Sequence, residues 1–446
     1  VYREAMSFYA SLSQKIRNEE AHIVVMGLGY VGLPLAVELA KSASPVTGYD
    51  PDEAKVNQLR EGVSPIDYPS SETLQYVSKE LKFKVTSDPK VLNEADVIIV
   101  CVPTPLSKTK EPDLSLVRQA LAQIADHQRD GQLIILESTS YPGTTRELAV
   151  PALTWECPLG ERVFIAYSPE RIDPGNPKYN LANTPKLVAG MTPNCAKLAQ
   201  QVYFKINDDI VPVSSPEVAE MAKVLENTFR AVNIGLANEV ALISRKLGID
   251  PFEVIDAAAT KPFGFMPFYP GPGLGGHCIP VDPLYLSWKI RSLQGQARFI
   301  ELADTINSGM PDHVVSVATE ALNSVSKPVR GAKVLILGLT YKADVADTRE
   351  SPVTIIIEKL LELGAEVQYE DPYVPVHRTT VKGQPWRESS LTVSHYGEYD
   401  LVIVAAPHKD FDLERVRAES KLIVDTRGVF RDELKRTLKD PKIFRI

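Results

Sequence analysis

The sequence predicts an α/β protein: two Rossmann-like, doubly wound parallel-sheet domains joined by a long central helix and a further helical segment. Three observations carry that prediction. From Ala21 onward, short β-branched runs alternate with longer helical patterns. At Ser215 the rhythm stops, and helical composition runs to Leu247 with no Gly or Pro between Pro216 and Gly235. After Lys327-Pro328 the alternation returns.

In chain order, strands are expected in the first domain at 22–26, 46–49, 97–102, 133–136 and 163–166, each a short apolar run. Helices are expected between and after them at 31–42, 51–61, 114–127 and 144–150, and the domain should end near Val213. Ser215-Pro216-Glu217 then reads as a helix start. The helix that it opens should reach about thirty residues, or about 45 Å. Further helices are expected at 251–259, 283–291 and 299–325, with one Gly/Pro-rich loop from Lys261 to Asp282. A helical middle of this kind commonly joins two sheet domains and offers a dimer surface, so a homodimer or higher homo-oligomer is expected. The second, smaller α/β domain should hold strands at 333–339, 366–369, 401–406 and 422–425 and a helix at 353–363. The chain therefore divides into an N-terminal extension (1–20) and segments 21–213, 214–326 and 327–446.

Composition narrows the function classes. At 446 residues, 24% charged and 44% hydrophobic, the chain is too long for one core. A net charge of −8 leaves no basic excess for nucleic acid or an anionic membrane surface. The longest uncharged apolar-leaning stretch, 23–37, is broken by three glycines and a proline and is too short to span a bilayer. Its flank, Arg17-Asn18-Glu19-Glu20, does not read as a signal-peptide start. Cysteines at 101, 157, 195 and 278 form no C-x-x-C pair, which argues against a metal site and a disulfide framework and favours a reducing cytoplasm.

The run from His22 to Met26 enters Gly27-Leu28-Gly29-Tyr30-Val31-Gly32 and then a helix, with Asp50 at the end of the second strand. That context turns a weak G-x-G-x-x-G pattern into a dinucleotide fingerprint. Gly27 permits the tight turn, Gly29 lets backbone approach a pyrophosphate, and Gly32 allows helix to pack on strand. An acid at Asp50 accepts both ribose hydroxyls and repels a 2′-phosphate, which favours NAD over NADP. The plainer alternative is three packing glycines and a turn aspartate. Pro103 and Thr104, after the 97–102 strand, either line the nicotinamide side or simply end the strand.

The least ordinary stretch is Gly271-Pro272-Gly273-Leu274-Gly275-Gly276-His277-Cys278-Ile279-Pro280-Val281-Asp282. Gly271, Gly273, Gly275 and Gly276 give backbone N–H groups access to a ligand, and a thiol stands four residues before a carboxylate. A cysteine in such a loop is a candidate nucleophile, or else structural, as Cys101, Cys157 and Cys195 are expected to be. Lys223 and Asn227 share a face of the long helix, beside a low-charge run that contains Arg230. Polar groups on a largely buried helix need partners, and a ligand can be one. Within Ser168-Pro169-Glu170-Arg171, Glu170 can act as a base or orient water. Arg171 can bind phosphate, or pair with Glu170 or Asp173.

From His22 to Arg427 the chain resembles the UDP-sugar 6-dehydrogenases of the UDP-glucose/GDP-mannose dehydrogenase family. Five motifs agree in order: Gly27 to Gly32, Ser168 to Arg171, the Lys223/Asn227 helix, Gly275 to Asp282, and Tyr341-Lys342-Ala343-Asp344-Val345-Ala346-Asp347-Thr348-Arg349-Glu350-Ser351. The resemblance implies four-electron oxidation of a sugar C6 alcohol to a carboxylate, with two NAD reduced. By position, Cys278 captures the C6 aldehyde as a thiohemiacetal that becomes a thioester, and Lys223 stabilises the oxyanion. Asn227 positions substrate and water, and Asp282 with Glu170 handles proton transfer and hydrolysis. Thr139 matches a residue near the nicotinamide and the reactive water, Lys342 a substrate ligand, and Arg349 a cofactor contact. The chemistry is sound in itself, because covalent capture retains a reactive aldehyde between two oxidations. The second α/β domain has a single Gly338 and no G-x-G-x-x-G, so a UDP-sugar is its expected occupant, as NAD is of segment 21–213.

His277 and the Pro-Gly-Pro-Gly-Leu-Gly-Gly run look like the N-acetylhexosamine branch. UDP-N-acetylglucosamine is therefore the expected substrate, with UDP-glucose and UDP-N-acetylmannosamine as alternatives. Ala343 and Ala346 stand where charged residues are common in relatives of this branch. Two other readings are a catalytically silent NAD/sugar-nucleotide sensor, which needs no nucleophile, and a two-electron dehydrogenase, which reduces one NAD. Capsule, O-antigen and other surface polysaccharides all consume the uronic-acid sugar nucleotides that such an enzyme makes.

Overall fold

Strands β1 (Ile23–Met26), β4 (Val97–Val100), β5 (Gln132–Leu136) and β6 (Val163–Tyr167) are buried along their whole length. That is why their sequences are continuous apolar runs rather than alternations. With β2 (Val46–Tyr49), β3 (Phe83–Thr86), β7 (Lys186–Gly190) and β8 (Ile210–Pro212) they form an eight-stranded sheet, ordered β3-β2-β1-β4-β5-β6-β7-β8. All neighbours are parallel except β6 and β7. Strand order reverses between β1 and β4, where Met26 lies opposite both Tyr49 and Val100, so the loops after β1, β2 and β4 leave at one level. Ligands of doubly wound sheets bind at such a switch point.

A second sheet, ordered β10-β9-β13-β14-β15, is wholly parallel. Its strands are β9 (Lys333–Leu337), β10 (Glu366–Glu370), β13 (Leu401–Val404), β14 (Ile423–Asp425) and β15 (Ile443–Arg445). Between β10 and β13 a hairpin, β11 (Val376–Val381) and β12 (Gln384–Ser389), turns through Lys382 and Gly383, both at positive φ. The first turn of this sheet repeats the device of the first one. Gly27 has φ 92° and an added Cβ would lie 2.7 Å from the Cys101 carbonyl oxygen, while Gly338 has φ 82° and its Cβ would lie 2.1 Å from that of Ala406. The next residue in each case donates its N–H to the aspartate after the second strand, Leu28 to Asp50 at 2.9 Å and Leu339 to Asp371 at 2.6 Å.

The computed structural model describes residues 6–42, 44–66, 68–107, 109–154, 157–172, 178–431 and 440–446. The chain forms two units, Val1–Glu226 with Leu284–Gly295 and Asn227–Pro283 with Gln296–Ile446. The first core packs Leu33, Val37, Ile99, Ile135 and Phe164, and the second packs Val314, Ala318, Ile336, Ile356 and Ile403. The 32-residue helix Pro216–Leu247 supplies residues to both units. Gly235 is tolerated inside it because an added Cβ would come within 3.1 Å of Ala303, on the helix Arg298–Ser324. Among the described residues no helix is long and apolar enough to cross a membrane.

The architecture is the expected one, with differences in detail. Six strands escaped the sequence reading: β3, β7, β8, β11, β12 and β15. They are short, or carry lysine, arginine, glutamate or proline, and so lack the apolar run that marked the others. The 97–102 and 401–406 strands stop at Val100 and Val404, before the loops of the two switch points. The helix expected at 144–150 is a π-turn, Thr145–Ala149, running into Val150–Leu153.

Candidate active site

In the first unit the three fingerprint glycines have three different surroundings. Gly27 abuts Cys101, and a Cβ on Gly32 would lie 1.9 Å from the Gly27 carbonyl oxygen, whereas one on Gly29 would meet nothing within 4 Å. Gly29 thus leaves the open approach that a pyrophosphate needs. The helix Gly32–Lys41 starts after Val31 with no side-chain cap, and the Leu33 N–H is taken by the Gly29 carbonyl at 3.1 Å. Leu28 is buried and Tyr30 is exposed. Asp50 accepts from Leu28 N at 2.9 Å and Asp52 N at 3.1 Å, and it pairs with Lys55 at 2.7 Å. These groups fit NAD, although Lys55 offsets part of the negative charge expected to repel a 2′-phosphate. Pro103 is exposed, and the Thr104 carbonyl accepts from the Tyr285 hydroxyl at 3.0 Å.

The loop after β5 holds Glu137, Ser138, Thr139 and Ser140. Ser138 Oγ donates to the Val102 carbonyl at 2.8 Å, Thr139 is half-buried, and Ser140 Oγ is buried without a partner. From the long helix, buried Glu220 holds the end of this loop, accepting from Gly143 N at 2.6 Å, Thr145 N at 2.8 Å and Thr145 Oγ1 at 2.6 Å. Burial pushes its carboxyl up to about 7, against those three donors. Sequence reasoning missed Glu220, which binds the first residue of the π-turn. One turn further along, Lys223 is 8% exposed and forms no ion pair among the described residues.

Glu170 is more committed than the sequence suggested. Its Oε1 accepts from Arg171 N at 2.6 Å and Ile172 N at 2.7 Å, and its Oε2 pairs with Lys186 at 3.0 Å. Burial works against its ionisation, but the Lys186 ammonium and those N–H groups prevail and hold the carboxyl below its usual range. Such a group orients water better than it accepts a proton. The Arg171 guanidinium does not pair with Glu170 among the described residues. It binds Glu226 at 2.7 Å and the Pro185 carbonyl at 2.8 Å, and Asp173 lies outside the described residues.

In the second unit Asn227 Nδ2 donates to Asp282 Oδ2 at 2.5 Å, and Asp282 N donates to the Cys278 carbonyl at 2.8 Å. The thiol and the carboxylate are therefore tied across one turn at the start of the helix Asp282–Ser292. Cys278 Sγ lies 3.7 Å from His277 Nδ1, and the residue is partly exposed while Asp282 is buried. Arg230 is exposed on the long helix.

The loop glycines call for a correction. The N–H of Gly271 is taken by Asn238 Oδ1 at 3.0 Å and that of Gly276 by the Arg349 carbonyl at 2.9 Å, so neither is open to a ligand. Gly271 and Gly276 serve close packing instead, and Gly273 and Gly275 are packed closely as well. An added Cβ would lie 2.6 Å from Arg427 at Gly271, 2.9 Å from Pro352 at Gly273, 2.3 Å from Tyr341 at Gly275 and 3.0 Å from Tyr341 at Gly276.

The segment after β9 is fixed by a second missed group, buried His408. Its Nε2 lies 3.0 Å from Asp371 Oδ2 and its Nδ1 accepts from Asp344 N at 2.9 Å. Asp371 also takes N–H groups from Leu339, Tyr373 and Val374, so the counterpart of Asp50 is fully engaged within the protein. Lys342 is exposed, and its carbonyl accepts from Thr340 Oγ1 at 2.8 Å. Arg349 forks onto Asp347 at 2.9 and 2.7 Å. Arg427, also missed, bonds the carbonyls of Ala405 at 3.1 Å and Tyr341 at 3.3 Å, and has no carboxylate partner among the described residues. Burial alone lowers it to about 10. A cation so placed is suited to a phosphate. No group of three or more His, Cys, Asp or Glu is gathered for a metal among the described residues.

Comparison with known proteins agrees with this picture. Residues 21–207, 217–309 and 335–432 match, in order, the NAD binding, central and UDP binding domains of the UDP-glucose/GDP-mannose dehydrogenase family. The chain is 38% identical to the UDP-N-acetyl-D-glucosamine 6-dehydrogenase of Pseudomonas aeruginosa, over 88% of its own length and 92% of that protein. It is 34% identical to a UDP-N-acetyl-D-mannosamine dehydrogenase of Methanococcus maripaludis, over 92% and 94%. The solved UDP-D-ManNAc dehydrogenase of Pyrococcus horikoshii superposes with a TM-score of 0.84 at 32% identity, covering 95% of this chain and 99% of that one. With three family domains in sequence and whole-length relatives, the chain belongs to the UDP-glucose/GDP-mannose dehydrogenase family and is an NAD-dependent nucleotide-sugar dehydrogenase.

Proposed function

We propose that the protein oxidises the C6 alcohol of UDP-N-acetylglucosamine to the carboxylate in two steps through a covalent intermediate on Cys278. The observation that carries this is the link from Asn227 through Asp282 to Cys278, which fixes a carboxylate one helical turn from a thiol. NAD, when bound by the Gly27–Gly32 turn, Asp50 and Arg349, supplies the hydride acceptor. Asp282 takes the alcohol proton as C6 becomes an aldehyde. The Cys278 thiolate then adds to that carbon, and the Lys223 ammonium stabilises the oxyanion. A second oxidation gives the thioester. Water attacks its carbonyl carbon, the C–S bond breaks, the thiolate leaves and the product carboxylate forms. Thr139, Asn227 and Glu170 orient the substrate and that water. The UDP moiety is held by segment 327–446, with Lys342 as a substrate ligand and Arg427 at a phosphate. Segment 21–213 holds the cofactor, and 214–326 carries the thiol.

Relatives named for N-acetylglucosamine support that sugar, at 38% and 36% identity. Relatives named for N-acetylmannosamine, at 33% to 37%, keep that epimer as the second reading. The test is NADH formed per sugar consumed, with UDP-N-acetylglucosamine, UDP-N-acetylmannosamine and UDP-glucose in separate reactions. A ratio of two with the first sugar is expected. Two with another sugar moves the specificity and keeps the chemistry, and one or none removes the Cys278 mechanism.

The enzyme is further proposed to act as a homodimer in the cytoplasm, supplying uronic-acid sugar nucleotides for surface polysaccharides. Val218, Leu225, Phe229, Leu236, Ile243 and Leu247 are all exposed, and their spacing puts them in one line along the long helix. A second copy of the same helix is the partner that this stripe suits. Light scattering should give a dimer for the native chain and a monomer for Leu236→Glu. A native monomer removes the proposal.

A further inference from the structure

At the ends of β5, β6 and β7 a buried charge cluster does work that the mechanism above leaves unassigned. Lys186, the first residue of β7, sits 3.0 Å from Glu137 Oε1 and 3.0 Å from Glu170 Oε2. The Tyr203 hydroxyl donates to Glu137, and the Cys101 thiol lies 3.9 Å from its other oxygen. The Lys186 side chain is 6% exposed and that of Glu137 is 0%, but that of Glu170 is 13% exposed. Glu170 is therefore the member through which this cluster reaches the surface. A lone ammonium would not be buried here without carboxylates, and two carboxylates would not share this space without the ammonium.

We propose that Lys186 is a positioning residue for thioester hydrolysis, fixing Glu170 as an ionised carboxylate that orients the attacking water. The inference rests on the reading of Glu170 given under the proposed function. In the step it serves, the water oxygen bonds to the acyl carbon, the C–S bond breaks and the electron pair leaves with Cys278 sulfur. One water proton restores the thiol and the other goes to solvent. Lys186 touches neither substrate nor water. It acts through Glu170, whose other neighbours are Glu137, Tyr203 and Cys101 within the cluster and the Arg171 and Ile172 N–H groups.

The test compares the native chain with Lys186→Met, Lys186→Arg and Glu170→Gln, using NAD and whichever UDP-sugar the native enzyme turns over. It reads kcat and KM from about pH 3 to pH 10, and the intact mass of enzyme quenched during turnover. Without its cation, buried Glu170 ionises only at higher pH. On the acidic side Lys186→Met should then lower kcat up to about tenfold, with KM for the sugar within about threefold. The acidic limb of kcat should move up by about one pH unit, and an acyl adduct should accumulate on Cys278. Lys186→Arg should restore both limb and rate. Native kcat in Lys186→Met, or a loss with the limb unmoved and no adduct, overturns the proposal. If Lys186→Met does not fold, Glu137→Gln carries the test: it leaves Lys186 to Glu170 alone, so the acidic limb must move down, and an unmoved limb overturns the proposal. Native turnover by Glu170→Gln would instead remove the underlying reading of Glu170. An impaired Glu170→Gln beside an unimpaired Lys186→Met removes only the role of Lys186.

Discussion

Cys278→Ala is expected to abolish formation of the sugar acid, lowering its rate by at least about a thousandfold, or about 4 kcal/mol of transition-state stabilisation. The first oxidation does not need the sulfur, so a slow release of about one NADH per sugar with aldehyde appearing in solution is consistent with the mechanism. The second oxidation does need it. An aldehyde carbon must add a nucleophile before a hydride can leave it, and the thiohemiacetal holds that adduct on the enzyme where a hydrate would be free to dissociate. Since Cys278 is partly exposed and lies in a loop, its replacement should cost little stability, and NADH binding and the melting temperature should stay near native values. Product analysis by mass spectrometry, beside the absorbance of NADH, checks both halves. Undiminished acid formation would falsify the covalent route and leave Cys278 as a structural residue.

Gly32→Ala should have the next largest effect, and its contrast with Gly29→Ala is the informative part. At Gly32 the added methyl would sit 1.9 Å from the Gly27 carbonyl oxygen and 3.0 Å from Cys101 Cβ. Backbone cannot yield as a long side chain can, so the turn after β1 must move. The expected cost is about 2 to 4 kcal/mol of stability, with loss of NAD binding. At Gly29 the same methyl meets nothing within 4 Å. Gly29→Ala should keep the native melting temperature and still weaken NAD at least about tenfold, because the methyl takes up the approach to the pyrophosphate. Calorimetric melting with a titration of NADH separates the two. Equal behaviour of both variants would show that packing alone is what these glycines serve.

Which parts of this molecule were legible in the sequence follows from the range over which each effect acts. The central strands were visible because a strand covered on both faces must be apolar throughout, as in Val97–Val100. The long helix was visible because Ser215-Pro216-Glu217 opens it, no Gly or Pro follows until Gly235, and helical composition continues to Leu247. The strands that were missed have local sequences without that signal. β7 begins with Lys186, whose charge reads as exposure until Glu137 and Glu170 are seen around it. Of the candidate residues, the pairing of Asn227 with Asp282 and the bond from Asp282 to the Cys278 carbonyl lie among groups that motif spacing had singled out. The close packing of the thiol-loop glycines was not legible, since the neighbours that require them, Tyr341, Pro352 and Arg427, come from distant segments.

By itself, then, the sequence determined the two α/β domains, the helix that links them, the cofactor turn and the thiol. Apolar periodicity, helix starts and glycine's conformational freedom are properties of a few consecutive residues. Only the tertiary structure decided which charges are held and which are available. Glu170 is clamped by Lys186, Asp371 is engaged by His408, Glu220 draws in the loop after β5, and Arg427 has carbonyls but, among the described residues, no carboxylate. A charge is set by burial and by partners brought from elsewhere in the chain, and neither is written in the residues beside it.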